Sequence, residues 1–164
     1  MGSIWGDVPT WITTLAVLLA VVQYLGERKR RRSESDREAR EQATNLTVWT
    51  VTVMGTDRRY GVRISNTSGS TFHDVRIHAL IHGEARRPIK LLIVPPGDHF
   101  VPFNGNDHDY TWDLARDVAE EDSDLRPYMQ SDKYRVTSVQ FRDNVGQQWA
   151  TDDRAVLRAG GATT

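Results

Sequence analysis

The chain of 164 residues contains no cysteine. Disulfide bonds, cysteine-ligated zinc and thiol nucleophiles are therefore excluded. It also lacks a Gly-x-Ser-x-Gly elbow, a P-loop and the glycine pattern of dinucleotide-binding folds. These absences remove the commonest sequence signs of hydrolases and of nucleotide-dependent enzymes. We therefore expect a protein that is not an enzyme, with no catalytic residue, cofactor or metal.

Charged residues are missing from 8–26, "VPTWITTLAVLLAVVQYLG". At about 1.5 Å of rise per residue this stretch spans about 28 Å, close to the hydrocarbon thickness of a bilayer. The pattern predicts a single transmembrane helix over 8–26, preceded by a short external N-terminus over 1–7. Ala16 and Ala20 form a small-xxx-small pair through which two copies could associate.

A basic run, "RKRRR", follows the apolar stretch and fixes its expected orientation. By the positive-inside rule, this run and everything after it should lie in the cytoplasm. The run could also bind anionic lipid head groups. We expect no nucleic acid, because aromatic residues that stack on bases are not interleaved with the cations. The predicted membrane-interface residues are Trp5, Trp11, Tyr24, Arg28, Lys29, Arg30, Arg31 and Arg32.

Residues 27–43 have no proline or glycine and are rich in arginine and glutamate. They predict a charged juxtamembrane helix that acts as a spacer, because oppositely charged residues recur at helical spacing. From residue 44 the apolar period changes from that of a helix to two. Alternation in "LTVWTVTVM", "RYGVRISN" and "FHDVRIHALIH" predicts half-buried strands.

Four later segments complete about seven short strands: "IKLLIV", "YRVTSVQF", "QQWAT" and 155–158. The phase of alternation changes between Val136 and Val139, which predicts a β-bulge or a bend. Asn144 to Gly146 predicts a hairpin turn. The predicted fold class is mainly β: an antiparallel immunoglobulin-like β-sandwich over 44–158, after the transmembrane and charged helices. A flexible tail over 159–164 would end the chain.

An acidic insertion at about 105–131 interrupts the strand pattern. Leu114, Val118 and Leu125 lie near helical spacing, and Pro127 ends the segment. We expect a short helix plus a loop that crosses between the sheets. Long excursions of this kind can be functional in a sandwich.

Several short motifs carry a family resemblance. They are "WGDVPTW" before the apolar run, then "ISNTSGSTFHDVRI", "VPPG" and "VQFRDNVGQQWATD" in the domain. The chain resembles small membrane-anchored proteins of high-GC actinobacteria. In these, N-x-S/T then V-x-V marks adjacent strands, P-P-G a turn and F-x-D-x-x-G-x-x-W a hairpin. The resemblance implies the sandwich and an inner-membrane placement, and adds no catalytic residue. The matching residues are Asn66, Ser68, Val75, Ile77, Pro95, Pro96, Gly97, Phe141, Asp143, Gly146 and Trp149.

Histidines near acidic residues raise the question of a metal site. His78 and His82 share a strand face in this reading but would lie about 13 Å apart, too far to hold one ion together. Exposed polar faces explain the same residues. Two matches to the glycosylation sequon, at Asn45 and Asn66, are accidental in a cytoplasmic domain. The other residues of this group are His73, His99 and His108, with Asp74, Asp98, Asp107 and Asp109.

The sequence favours a membrane-anchored protein-interaction or scaffold module with an unknown protein partner. Anchoring would raise the effective concentration of the domain near membrane partners. Two alternatives are an extracytoplasmic binding domain of reversed topology, and a subunit of a larger membrane or phage-related assembly. The candidate partner-binding residues are Arg76, His78, His82, Asp113, Asp117, Glu120, Glu121, Asp122 and Asp124.

Overall fold

A computed structural model describes residues 18–21, 23–24, 27, 34, 37–54, 58–105, 111–121 and 124–160. The chain divides into two compact units, Met1–Glu38 and Ala39–Thr164. In the first unit the described residues are helical. The second unit opens with the helical residues 39–44, and the rest of it is built almost entirely from strands.

Two antiparallel sheets form the second unit. Sheet A has the order β7-β6-β2-β1-β8, and sheet B the order β11-β10-β9-β3-β4, with β5 also paired to β3. The strands of sheet A are β1 (Leu46–Met54), β2 (Arg59–Asn66), β6 (Gly97–Pro102), β7 (Arg116–Asp117) and β8 (Asp124–Pro127). The strands of sheet B are β3 (Phe72–Ile81), β4 (Glu84–Ala85), β5 (Ile89–Val94), β9 (Arg135–Arg142), β10 (Gln148–Thr151) and β11 (Leu157–Ala159).

The main core lies between the two sheets, as the alternation of apolar residues predicts. Fully burying an aliphatic or aromatic side chain of this size contributes about 1.5–3 kcal/mol each. Phe72 and Phe141 meet edge to face there, with ring centroids 5.0 Å apart. Ala43 is also buried in this core, so residues 39–44 pack as part of the sandwich. Other buried members are Val62, Ile64, Val75, Ile77, Val101, Val139 and Trp149.

Strand β1 is buried on both faces rather than on one. Val51 and Val53 form a second apolar cluster with Phe100, and Trp49 packs against it. The alternate residue Thr50 is also buried, and its hydroxyl donates to the backbone carbonyl of Tyr134 over 2.9 Å. The apolar alternation of β1 therefore marks the outer face of sheet A, which needs a cover of its own.

The acidic insertion supplies that cover. Strand β7 pairs with β6 at one side of sheet A, and β8 pairs with β1 at the other. Between them Val118, in a 3-10 helix of three residues, and Leu125 pack onto the second cluster. We call residues 116–121 and 124–127 the strap. The insertion runs from β6 of sheet A to β9 of sheet B, so it connects the two sheets as predicted, but on the way it crosses the outer face of sheet A.

The bulge predicted in β9 is confirmed. His78 pairs with Ser138, but the next residue, Ala79, pairs with Val136, so Thr137 is an extra residue. A second irregularity lies in β3 at Asp74, which has a φ of 51°. These shifts set which side chains of neighbouring strands lie opposite one another.

The transmembrane helix of the predicted fold class is wrong. Of the segment 8–26, the structure describes residues 18–21 and 23–24, which are helical. Nowhere in the described parts of the chain is there a helix both long and apolar enough to cross a membrane. A span needs about 20 predominantly apolar residues, whereas the continuous described helix, 37–44, is short and mostly polar. The rest of 8–26, with Trp5, Trp11 and Arg28 to Arg32, lies outside the described residues.

Candidate functional site

Asn66, at the end of β2, makes four hydrogen bonds while fully buried. Its amide nitrogen donates to the carbonyls of Ser70 at 2.8 Å and Val94 at 3.0 Å. Its oxygen accepts from the backbone N–H and the hydroxyl of Ser68. Because β2 belongs to sheet A and Val94 to sheet B, this side chain joins the two sheets. Asn66, one of the two matches to the glycosylation sequon, is therefore a buried structural residue and is only 2% exposed.

Asp143 holds the hairpin between β9 and β10. One carboxylate oxygen accepts from the backbone N–H groups of Val145 and Gln147, and the other accepts from the indole N–H of Trp149 at 2.9 Å. The side chain of Asn144 reaches Ser70 Oγ at 3.4 Å, beside the Asn66 network. The motifs that carry the family resemblance thus build one end of the sandwich, and we assign them a structural role.

Four aromatic rings form a cluster at the opposite end. Tyr134 stacks on Tyr128 and Tyr60, with centroids 4.1 Å and 4.9 Å away, and its hydroxyl lies 2.8 Å from His82 Nδ1. His82 and Gly83 both have positive φ and form the two-residue turn between β3 and β4, as a type I′ hairpin requires. This turn directs His82 to the cluster, away from the face that His78 occupies. Burial, and then the neighbouring Tyr60, raise the pKa of Tyr134 above its ordinary value.

An ion pair between Glu121 and Arg59 of β2 joins the strap to the outer face of sheet A. Glu121, whose side chain is 5% exposed, pairs with Arg59 at 2.9 Å and with Arg116 at 3.4 Å. The guanidinium of Arg116 lies over the ring of Phe100. Arg63 pairs with Asp98 at 2.9 Å on the same sheet. The charges of this face are therefore largely matched among themselves.

The environment of Asp98 makes folding sensitive to acid. The Ser65 hydroxyl and then the Arg63 guanidinium hold the pKa of Asp98 below its ordinary value, against burial, which raises it. A folded pKa below the unfolded value of about 3.9 contributes stability that is present above that value and is lost as pH falls through the folded pKa. The effect should be small, because 40% of the side chain is exposed.

We expect Asp98→Asn to remove this acid-dependent part of the stability. The difference in urea midpoint between wild type and variant should shrink from about pH 6 to about pH 3. Urea unfolding followed by tryptophan fluorescence at both pH values measures it. Asp153→Asn, at an exposed aspartate in the turn before β11, is the control. A difference that stays constant with pH would contradict the assignment.

The outer face of sheet B carries a row of side chains that crosses five strands. Lys90 of β5 lies opposite Arg76 of β3, which lies opposite Gln140 of β9. Gln140 lies opposite Ala150, and Ala150 opposite Arg158. Residues directly opposite in an antiparallel pair project from the same face. We call these five residues the basic row.

Arg76 and Lys90 are neighbouring cations, and both are exposed. Arg158, at the other end of the row, pairs with Asp152 at 3.3 Å. The structure gives Arg76 and Lys90 no acidic partner within the residues it describes. Like charges directly opposite are destabilising. His78, two residues from Arg76 on the same face, is half-buried opposite Ser138.

The predicted partner-binding residues fall in three separate places. Arg76 and His78 share the outer face of sheet B, whereas His82 belongs to the aromatic cluster. The acidic candidates lie at or near the strap on the sheet A side: Asp117 caps the 3-10 helix, Glu121 is buried in ion pairs and Asp124 pairs with Arg126. Asp113 and Glu120 are exposed, and Asp122 lies outside the described residues. Of the predicted membrane-interface residues, the structure describes Tyr24, which is helical and exposed.

Sequence reasoning missed that Lys90, Gln140 and Arg158 lie in one row with Arg76. Each stands at an outward position of its own strand, so alternation could have suggested exposure. Their alignment depends on strand register, which the bulge at Thr137 and the irregularity at Asp74 shift by one residue.

The described residues contain no group of three or more histidine, aspartate or glutamate side chains placed to hold a metal ion. His99 Nε2 instead contacts the carbonyl of Pro95 at 3.1 Å. His108, Asp107 and Asp109 lie outside the described residues.

Comparison with known proteins gives no match: no family model, no curated protein and no solved structure is similar to the chain.

Proposed function

We propose that the sandwich is a non-enzymatic protein-interaction module that receives an acidic segment of a partner protein on the outer face of sheet B. The observation that carries this proposal is the difference between the two sheets. The strap covers the outer face of sheet A, whereas Arg76 and Lys90 stand together on sheet B without an ion pair in the described chain, since the nearby Asp74 pairs with Arg142. Carboxylates of a partner would neutralise this pair.

The open outer face of sheet B suits an extended segment rather than a small molecule. The basic row crosses the strands, so a peptide lying over it would meet Lys90 and Arg76 in turn, with Gln140 as a hydrogen-bonding group beyond. His78 lies beside the row and adds a second hydrogen-bonding group. Electrostatic complementarity of this kind mainly provides specificity and a fast association rate.

The strand order supports a finer description of the fold. The order β1-β2-β6 in sheet A corresponds to strands A, B and E of an immunoglobulin fold, and β5-β3-β9-β10 to C′, C, F and G. We infer that the domain is immunoglobulin-like, a class widely used for recognition. The resemblance to actinobacterial proteins is a proposal that the structural roles of Asn66, Asp143 and Trp149 support.

The test uses a fluorescein-labelled octaglutamate peptide as the acidic probe, with binding to the full chain followed by anisotropy. We expect Arg76→Glu with Lys90→Glu to weaken binding by about tenfold or more, because two attractive charges become repulsive. Added salt should weaken wild-type binding as well. The control, Arg126→Glu with Lys133→Glu, makes the same charge change at exposed residues away from this face.

Two results would overturn the proposal. One is an equal loss of binding in the control pair, which would show that only net charge matters. The other is a single-stranded oligonucleotide that binds the same face more tightly than the peptide, which would make the partner a nucleic acid.

A further inference from the structure

Strand β5, "IKLLIV", is an edge strand of sheet B with unusually apolar exposure. Within the described chain it pairs with β3 alone, so its other side offers unpaired backbone groups. Leu92 is 82% exposed and Ile93 is 58% exposed. Its one charged residue is Lys90. Soluble proteins usually protect such edges with charges, prolines, bulges or a covering segment.

The other edge strands of the described residues are protected by being short. Sheet A ends in β7, with two residues, and β8, with four, and β8 carries Asp124, Arg126 and Pro127. Sheet B ends in β11, with three residues, and β4, beside β5, has two. Strand β5 has six residues. Strand β5 is therefore a long, apolar edge strand, whereas the other edge strands named here are short.

A cleft of about 460 Å³ runs beside β5, between the edges of the two sheets. Ile89, Leu91 and Trp112 line it together with Leu114, which is 85% exposed. The indole N–H of Trp112 donates to the carbonyl of Arg87 at 2.6 Å, which fixes the ring at the cleft wall. A strand added at this edge could therefore form hydrogen bonds with the unpaired N–H and C=O groups of β5. Every second side chain of the added strand would lie over the apolar cleft.

We propose that a second copy of this chain occupies the edge, through antiparallel pairing of β5 with β5 about a twofold axis. The partner strand then has the same length and the same apolar character. Pairing centred on Leu91 places Lys90 opposite Leu92 of the second copy, so no two lysines lie opposite each other. The two Leu91 side chains, which line the clefts of the two copies, come opposite each other and share a face.

This arrangement has a geometric consequence that does not depend on the proposed partner. A twofold axis perpendicular to the sheet at the paired strands keeps both outer faces of sheet B on the same side. The two sheets become one continuous sheet, and the two basic rows lie on one surface. An acidic partner would then meet four unmatched cations instead of two, which favours bivalent binding.

The chain has no cysteine, so a single introduced thiol gives an unambiguous crosslinking site. We would prepare the full chain with Leu92→Cys and treat it with a short bismaleimide. The matched control is Met129→Cys, at a residue that is 84% exposed outside the strands. We expect a crosslinked dimer from Leu92→Cys alone. Sedimentation equilibrium of wild type should show a monomer–dimer equilibrium, with the dimer constant weakened about tenfold or more by Leu92→Lys.

Three outcomes would overturn the proposal: a wild type that stays monomeric at about 500 μM, a dimer that Leu92→Lys leaves unchanged, or open-ended aggregates without a dimer. Circular dichroism of Leu92→Lys checks that the variant is folded, and Ile93→Lys is the second variant if it is not. Arg76→Glu should leave the dimer intact, although it weakens the binding of the acidic peptide. The sedimentation and crosslinking experiments therefore test the dimer, and the peptide-binding experiment tests the proposed acidic partner, independently of each other.

Discussion

Asp143→Ala is expected to lower the free energy of unfolding by about 3–5 kcal/mol, because the buried indole N–H of Trp149 is left without an acceptor and two part-buried hydrogen bonds to a charged group are lost, at about 1–3 kcal/mol each. The carboxylate accepts from two backbone N–H groups of the hairpin and from the indole of Trp149, and it is 2% exposed. Urea unfolding of the full chain measures the loss. Asp153→Ala, at an exposed aspartate, should change it by less than about 0.5 kcal/mol.

Asp143→Asn separates the two parts of this network. An asparagine oxygen can still accept from Val145 and Gln147, but its amide nitrogen cannot accept from Trp149. A double-mutant cycle of Asp143→Asn with Trp149→Phe should therefore show coupling of about 1 kcal/mol or more. Additive effects would mean that the indole bond contributes nothing to the hairpin. A loss as small as that of the Asp153 control would show that the hairpin does not need the carboxylate.

Asn66→Ala is expected to have the second large effect, again about 3–5 kcal/mol. It leaves the carbonyl of Val94 and the N–H of Ser68 without their buried partner, removes one of the two donors to the carbonyl of Ser70, and opens a cavity. Asn66→Asp should be at least as damaging, because a carboxylate would face two carbonyl oxygens. Asn104→Ala, at an exposed residue, is the matched control in the same urea experiment.

The two sheets should also respond together to Asn66→Ala. Since Asn66 belongs to sheet A and Val94 to sheet B, we expect Asn66→Ala to unfold in a single transition, at a lower urea concentration than wild type. Circular dichroism and the tryptophan signal should give coincident curves. A variant as stable as wild type would show that the side-chain bridge is dispensable.

Much of the fold follows from local pattern. Alternation predicts β1, β2, β3 and β9, the apolar run predicts β5, and the turn residues predict the hairpin to β10. The change of phase near Val139 predicts the bulge at Thr137. These features depend on neighbours in sequence, which is why they can be read without the structure.

The remaining features depend on contacts between distant segments. The strand Gly97–Pro102 has no alternation and carries glycine and proline at its ends, so it escapes notice. Its position is set by pairing with β2 and by Phe100, which packs against the strap; a Cβ at Gly61 would lie 2.4 Å from the Phe100 ring. To predict the basic row, one would have to know the register of five strands. The prediction of a transmembrane helix was wrong.

The buried bridge at Asn66 has a consequence for where such a domain can work. In antibody domains a disulfide joins the two sheets. Here a neutral amide joins β2 to β5 by hydrogen bonds, in a chain without sulfur atoms other than those of methionine. The connection between the sheets has no redox potential, so oxidants and reductants do not act on it. The same folded state is therefore accessible in oxidising and reducing compartments.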